Sequence, residues 1–218
     1  MFKFSGDLVL SKSWLNRALI IQNYQPSIQF ASESDSEDVL VLKMSLASIG
    51  KASEFYLGQG GTSFRFFCFL ISRHPGTWIV KAHTRLLERP QEGLKDLLGQ
   101  LGVEIDFKKD EVVIRSAGWN VPTEITCSAK DSSQFISGLL LNSWNLETDL
   151  NIKIQGQIVS EDYFKMTVAM LQQFGMKIEE GFGQINILKK QIPLPQSAQS
   201  EVDVSSAFSL AAAGVIAG

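Results

Sequence analysis

The sequence predicts an α/β fold assembled from repeated βαβαββ units, on three observations. One segment is written twice: EGLKDLLGQLGVEIDFKKDEVVI, from Glu92, and KMTVAMLQQFGMKIEEGFGQINI, from Lys165, match at a constant offset of 73 residues. Leu98 aligns with Leu171, Gly102 with Gly175, Ile105 with Ile178 and Ile114 with Ile187. Inside each copy the apolar period switches from helical spacing to strand spacing. A second set of segments precedes the copies: GGTSFRFFCFL, SSQFISGLLL and SSAFSLAAAG, in which Gly61, Ser132 and Ser205 are 71 and 73 residues apart.

The elements follow in order. SKSWLNRALII opens the first helix, with Leu15, Ala18 and Leu19 apolar behind a Ser-Lys-Ser start. The acidic run ESDSED, residues 33–38, reads as a solvated loop leading into a helix. EFYLG is a strand, and GGTSFRFFCFL a helix opened by small residues. Phe64, Phe66, Phe67 and Phe69 read as core packing, because Arg65 is the one basic residue among them and a base-stacking platform needs more. In LLERPQEGL, Pro90 suits the first position of the next helix. Leu94, Leu97, Leu98 and Leu101 stand at i, i+3, i+4 and i+7, and Gly102 stops that helix. Val103/Ile105/Phe107 and Val112/Ile114 alternate around a polar turn as a hairpin. EITCSA and SSQFISGLLL repeat the strand and helix, and Met176/Ile178 with Ile185/Ile187 repeat the hairpin around EEGFGQ. IPLPQSAQS, residues 192–200, has the composition of a linker or crossing. SEVDV and the Ala-rich run after it begin a further unit near Val202, and the sequence stops at Gly218, part-way through that unit's first helix. From the repeat, we expect a chain cut inside a unit.

Composition narrows the function. With 218 residues, 44% hydrophobic and 20% charged, the chain is an ordinary globular sequence. A net charge of -3 provides no global basic field for a nucleic-acid backbone, so an anion must be held by a local pocket. The nearly uncharged run at 204–218 is too short to span a bilayer, and the N-terminus lacks the apolar core of a secretion signal. Cys68 and Cys127 allow one disulfide at most and read as buried thiols of a cytoplasmic protein. His74 and His83 have no ligand partners at metal spacing, so we expect no metal and no cofactor.

Chemistry is suggested where helix starts carry Ser, Thr or Gly beside cations: Lys12, Ser13 and Arg17; Gly61 and Arg65; Arg89; Ser132 and Ser133. Unpaired N–H groups at such starts can meet an anion. Taken singly, each also reads as a plain cap or a solvated arginine; the recurrence in a repeating unit raises the site reading.

At this point the residues resemble the 5-enolpyruvylshikimate-3-phosphate (EPSP) synthase (3-phosphoshikimate 1-carboxyvinyltransferase) family. The likeness lies in SKSWLNRALI, LGQGGTSFRF, LLERPQEGL, SSQFISGLLL, VSEDYF and DVSSAFSLAAA, six motifs in family order. It implies an inside-out α/β barrel: a three-unit domain at 13–200 binding shikimate 3-phosphate, residues 1–12 as the first strand of an otherwise absent second domain, and 201–218 crossing into it. Family chains are roughly twice this length. The resemblance implies enolpyruvyl transfer from phosphoenolpyruvate to the 5-hydroxyl of shikimate 3-phosphate, in aromatic amino acid biosynthesis, by a monomer without nucleic-acid or membrane partners. Lys12 would lie between the substrates as the catalytic cation. Ser13, Arg17, Ser132, Ser133, Gln134, Ser160 and Tyr163 would hold shikimate 3-phosphate. Gly61 and Arg89, with Lys12 and Gln134, would face phosphoenolpyruvate and its competitor glyphosate. Arg65 and Asp203 would support them, Asp203 also reading as a helix cap. The family's catalytic carboxylates lie in its second half, so we expect these 218 residues alone not to turn over. Gln59, Gly60 and Phe66 depart from the commoner choices and bear on the phosphoenolpyruvate side. The related UDP-N-acetylglucosamine enolpyruvyl transferase carries Lys-Asn at the first motif and a loop cysteine; here Lys12-Ser13 stands, and no cysteine precedes Arg89. A non-catalytic module binding shikimate 3-phosphate remains the alternative from another class. RNA 3′-phosphate cyclase, which has related units, is disfavoured by the missing basic surface and histidine motif.

Overall fold

The computed structural model describes residues 6, 8–128, 130 and 132–217, except the side chains at 205 and 217. Two copies of one βαβαββ unit account for its sheets. The first runs β1 (Glu54–Tyr56), α3 (Gly61–Ser72), β2 (Gly76–Lys81), a short α4 (Thr84–Leu87), α5 (Glu92–Gln100), β3 (Glu104–Phe107) and β4 (Glu111–Ser116). The second runs β5 (Ile125–Ser128), α6 (Ser133–Leu141), β6 (Leu150–Gln155), α7 (Glu161–Gln173), β7 (Ile178–Gly181) and β8 (Gln184–Ile187). They follow α1 (Lys12–Tyr24) and α2 (Glu37–Ala47) and precede α8 (Val204–Ala217).

Both sheets have the same topology, β1-β2-β4-β3 and β5-β6-β8-β7, with the first pair parallel and the others antiparallel. The repeat holds at the level of single residues. Ile105 faces Ile114 across one hairpin, and their counterparts Ile178 and Ile187 face each other across the other. Gly102 and Gly175 end the two helices at φ +76° and +93°, a left-handed turn that glycine adopts without steric cost. After each, a backbone N–H reaches back into the last turn, Val103 to Leu98 and Met176 to Leu171, at 2.9 Å in both cases.

The burial pattern sorts the helices. α1 buries every residue from Trp14 to Ile21, α3 every residue from Ser63 to Ser72, and α6 all but Gln134. A helix apolar on all sides belongs inside. α2, α5 and α7 bury one face each: Val39, Leu42 and Ser45; Leu94, Leu97 and Leu98; Phe164, Thr167, Val168, Met170 and Leu171. The strands alternate buried and exposed residues, as in Leu150–Gln155, so one face of each sheet looks outward. Helices therefore occupy the centre and sheets the outside, the inside-out arrangement. Gly138 permits a close approach of α6 to α3, since a Cβ there would lie 2.5 Å from the Phe69 ring.

The expectation of three full units over 13–200 meets two full units and one abbreviated one. α2 ends at Ala47 and β1 begins at Glu54, leaving no room for a hairpin. The intervening SIGKAS has no alternating apolar run to build one. The N-terminal unit keeps a single parallel bridge, Gln29 to Ser197, so residues 196–198, expected as linker, hydrogen-bond to Gln29. Its outer edge is closed by side chains: Gln22 Nε2 donates to the Ile28 carbonyl at 2.7 Å, and Lys43 to that of Ser32. Of the strand expected at 1–12, residues 1–5 and 7 lie outside the described residues; Leu10 bridges antiparallel to Val202.

Candidate functional site

The starts of α1, α3, α6 and α7 are tied together by two arginines. Arg17, 1% exposed in α1, donates from Nε to Thr167 Oγ1 (2.7 Å) and from its two terminal nitrogens to the carbonyls of Ser13 (2.7 Å) and Tyr163 (3.0 Å). Its guanidinium lies 5.3 Å from the Phe66 ring centre and 5.9 Å from that of Tyr163, within cation–π range. Thr167 passes the contact on to Ser137 Oγ at 2.9 Å. Thus α1, α3, α6 and α7 meet at one side chain. Burial pulls the Arg17 pKa down to about 10, against the raising effects of Tyr163 and Glu201, and it remains a cation at neutral pH.

Arg65 does the same for α3, α6 and the turn before α5. It is 4% exposed, donates from Nε to Gln91 Oε1 (3.1 Å), and reaches Gln134 Oε1 (2.7 Å), Ser132 Oγ (3.5 Å) and the Pro90 carbonyl (3.1 Å). Phe135 lies beneath it, 4.4 Å from Cζ to ring centre. Burial first, then the like charge of Arg89, lower its pKa to about 10. Gln134 is held at its other end, donating from Nε2 to Thr62 Oγ1 at 2.9 Å. Gly61 lies in the gap: a Cβ there would be 3.4 Å from Gln134 Oε1 and 3.6 Å from an Arg89 terminal nitrogen. Gly61, Arg65, Arg89, Ser132 and Gln134 therefore form one cluster.

Lys12, exposed at the start of α1, pairs with Asp38 Oδ2 at 3.5 Å. The same carboxylate lies over the start of α3, where a Cβ on Gly60 would be 2.6 Å away. Gly60 thus lets Asp38 approach the positive end of that helix. A cleft of about 300 Å³ is lined by Lys12, Ser13, Tyr163, Glu201 and Asp203 among others. Asp203 caps α8, its Oδ1 accepting from the Ser206 N–H at 3.3 Å. Ser11, not Ser13, caps α1 by accepting from the Trp14 N–H at 3.3 Å. Ser132 caps α6 through the Gln134 N–H at 3.2 Å, and Ser133 beside it is buried.

Ser160 is less integrated. It stands at the start of α7 in left-handed backbone, φ +56°, exposed and without a side-chain cap bond. It joins the cluster through the turn that presents the Tyr163 carbonyl to Arg17. The reading of the sequence missed Asp38, Gln91, Ser137 and Thr167. For Asp38 the start of α2 was visible, but not that its first turn faces Lys12. Cys68 and Cys127 are free and buried, and burial pushes both thiol pKa values up, Cys127 to about 12, so both stay protonated in the core. Among the described residues no group of His, Cys, Asp and Glu could hold a metal ion, and no helix is long and apolar enough to cross a membrane.

The family model of EPSP synthase (3-phosphoshikimate 1-carboxyvinyltransferase) matches residues 27–218. The chain belongs to the EPSP synthase family. It is 31% identical over 239 aligned residues to the 3-phosphoshikimate 1-carboxyvinyltransferase of Shewanella woodyi, covering 95% of this chain and 56% of that one. The enzyme of the same name from Shewanella pealeana is 29% identical over 249 residues, covering 99% and 58%. The solved EPSP synthase of Acinetobacter baumannii shares the fold, with a TM-score of 0.76 over 96% of this chain and 52% of that one at 20% identity. The chain spans about half the length of the EPSP synthase family members it matches.

Proposed function

We propose that the converging helix starts bind shikimate 3-phosphate and present its 5-hydroxyl to phosphoenolpyruvate, as the substrate-holding part of an enolpyruvyl transferase. The observation that carries this reading is the pair of arginine junctions, which bring Ser13, Arg17 and Tyr163 together in one cluster and Gly61, Arg89, Ser132 and Gln134 in another. Three of the five Arg17 N–H groups are committed to the protein, leaving two for a ligand. Both substrates are polyanions, and charge-assisted hydrogen bonds contribute about 1.5 to 3 kcal/mol each, enough to hold them without a metal.

In this reading Lys12 sits between the substrates, exchanging Asp38 for a ligand oxygen. Ser13, Arg17, Ser132, Ser133, Ser160 and Tyr163 hold shikimate 3-phosphate, and Gln134 touches both ligands. Gly61 lets backbone N–H groups approach the phosphoenolpyruvate phosphate beside Arg89, with Arg65 and Asp203 in support. The reaction protonates C3 of phosphoenolpyruvate as the 5-hydroxyl oxygen attacks C2 and loses its proton. The tetrahedral adduct then expels phosphate while C3 gives up a proton, forming the enolpyruvyl ether. Holding both reactants in line can supply roughly 7 to 11 kcal/mol of the barrier reduction.

By the family likeness the catalytic carboxylates come from the half that these residues do not span, so the 218 residues alone bind without turning over. Residues 13–200 form the binding domain, and 1–12 with 201–218 belong to a second one; the exposed Val204, Phe208, Val215 and Ile216 of α8 support that assignment. We place the protein in the cytoplasm as a monomer without nucleic-acid or membrane partners. Calorimetry with shikimate 3-phosphate, alone and with glyphosate, is the test. Binding of shikimate 3-phosphate supports the substrate-holding reading, and added binding of glyphosate supports the phosphoenolpyruvate side; no heat with either ligand would end it, and phosphate release with both substrates would overturn the prediction of no turnover.

A further inference from the structure

We infer that Gln91, a residue to which the family likeness gives no role, is a positioning residue that holds the charge of Arg65 and Arg89 ready for the anionic donor; this rests on the proposed enolpyruvyl-transfer reading. Gln91 is 6% exposed, and both ends of its amide are used. Oε1 accepts from Arg65 Nε at 3.1 Å, and Nε2 donates to the Leu86 carbonyl at 2.9 Å. That carbonyl also accepts from the Arg89 backbone N–H at 3.3 Å. One amide therefore fixes the Arg65 guanidinium and closes the turn that carries Arg89 over the start of α3.

The neutrality of Gln91 is what the inference turns on. Among the described residues every Arg65 hydrogen bond goes to an uncharged group: Gln91, Gln134, the Ser132 hydroxyl and the Pro90 carbonyl. Among the described residues neither Arg65 nor Arg89 forms an ion pair. Two guanidinium groups close enough to depress one pKa, beside a helix start and with no ion-pairing carboxylate among the described residues, form a field suited to a compact anion such as a phosphate ester. A glutamate at 91 would keep an oxygen facing Arg65 Nε, lose the N–H donated to the Leu86 carbonyl, and cancel part of that charge.

Two variants, both of which lose the bond to Leu86, separate the hold on Arg65 from the charge beside it. Gln91→Met removes both hydrogen bonds, and mass-spectrometric labelling with phenylglyoxal should modify Arg65 at least about fivefold faster than in the parent protein. Gln91→Glu keeps an oxygen facing Nε and should leave Arg65 as protected as before. In titrations of the shikimate 3-phosphate-saturated protein, both variants should bind phosphoenolpyruvate about tenfold more weakly, with shikimate 3-phosphate affinity itself within about twofold of the parent. Equal Arg65 labelling in Gln91→Met and the parent, or unchanged phosphoenolpyruvate affinity in Gln91→Glu, would overturn the inference. A parent protein that binds neither ligand would instead refute the proposed function, and the labelling result would still decide whether Gln91 holds Arg65.

Discussion

Replacing Arg17 by Met tests whether one buried cation joins four helices. The substitution keeps much of the aliphatic stem and removes three hydrogen bonds of 2.7, 2.7 and 3.0 Å and two ring contacts. The loss is smaller than three independent charged hydrogen bonds. Thr167 Oγ1 keeps Ser137 and the Tyr163 carbonyl as partners, and removing the cation also relieves the burial that pulls its pKa down to about 10. Counting one charged hydrogen bond left uncompensated and a cation–π contact of about 1 kcal/mol gives a net cost of about 3 kcal/mol. For a chain of this size that is a fall in Tm of roughly 6 to 12 °C. Differential scanning calorimetry reads it directly. Arg17→Lys should recover only part, since an ammonium cannot span three acceptors in the guanidinium plane. A Tm within about 1 °C of the parent would refute the view that Arg17 locks α1 to α7.

Other expectations follow from single contacts. Gly61→Ala adds a Cβ at ordinary contact distances of 3.4 to 3.6 Å, so Tm should hold while phosphoenolpyruvate and glyphosate binding, read by calorimetry, falls. Gly138→Val drives a side chain into Phe69, 2.5 Å from the nearest ring carbon, and should cost about 1 to 3 kcal/mol in urea unfolding. Burial, then Arg73, hold the folded His74 pKa below the ordinary 6.5, so the unfolded chain takes up the proton first. The His74 contribution is therefore fully present above about pH 6.5 and is lost as pH falls through and below that value; Tm measured against pH should show the drop, and His74→Gln should flatten it.

What the sequence made legible was local. Leu94, Leu97, Leu98 and Gly102 announce their helix and its end because spacing and a left-handed glycine are properties of neighbouring residues. Ile105 and Ile114 find each other for the same reason. The parts that escaped depend on contacts across long stretches of chain. Asp38 sits in an acidic run that reads as solvated, yet it faces Lys12 and Gly60. Gln91 looks like any polar residue at a helix start, and only Arg65, 26 positions earlier, gives it a purpose. The missing hairpin in the N-terminal unit was visible as an absence of alternation between Ala47 and Glu54, but the regularity of the other two units led to an expectation of three. Arg17 was read as facing a ligand, and the structure shows that most of its donors serve the protein first.

The most direct test of the account is a backbone-amide NMR titration of the 218-residue protein with shikimate 3-phosphate. Saturable shifts at Ser13, Arg17, Ser132, Gln134 and Tyr163, elements far apart in sequence responding with one dissociation constant, are the predicted result. Shifts scattered over the outer sheets, or none at these helix starts, would contradict it.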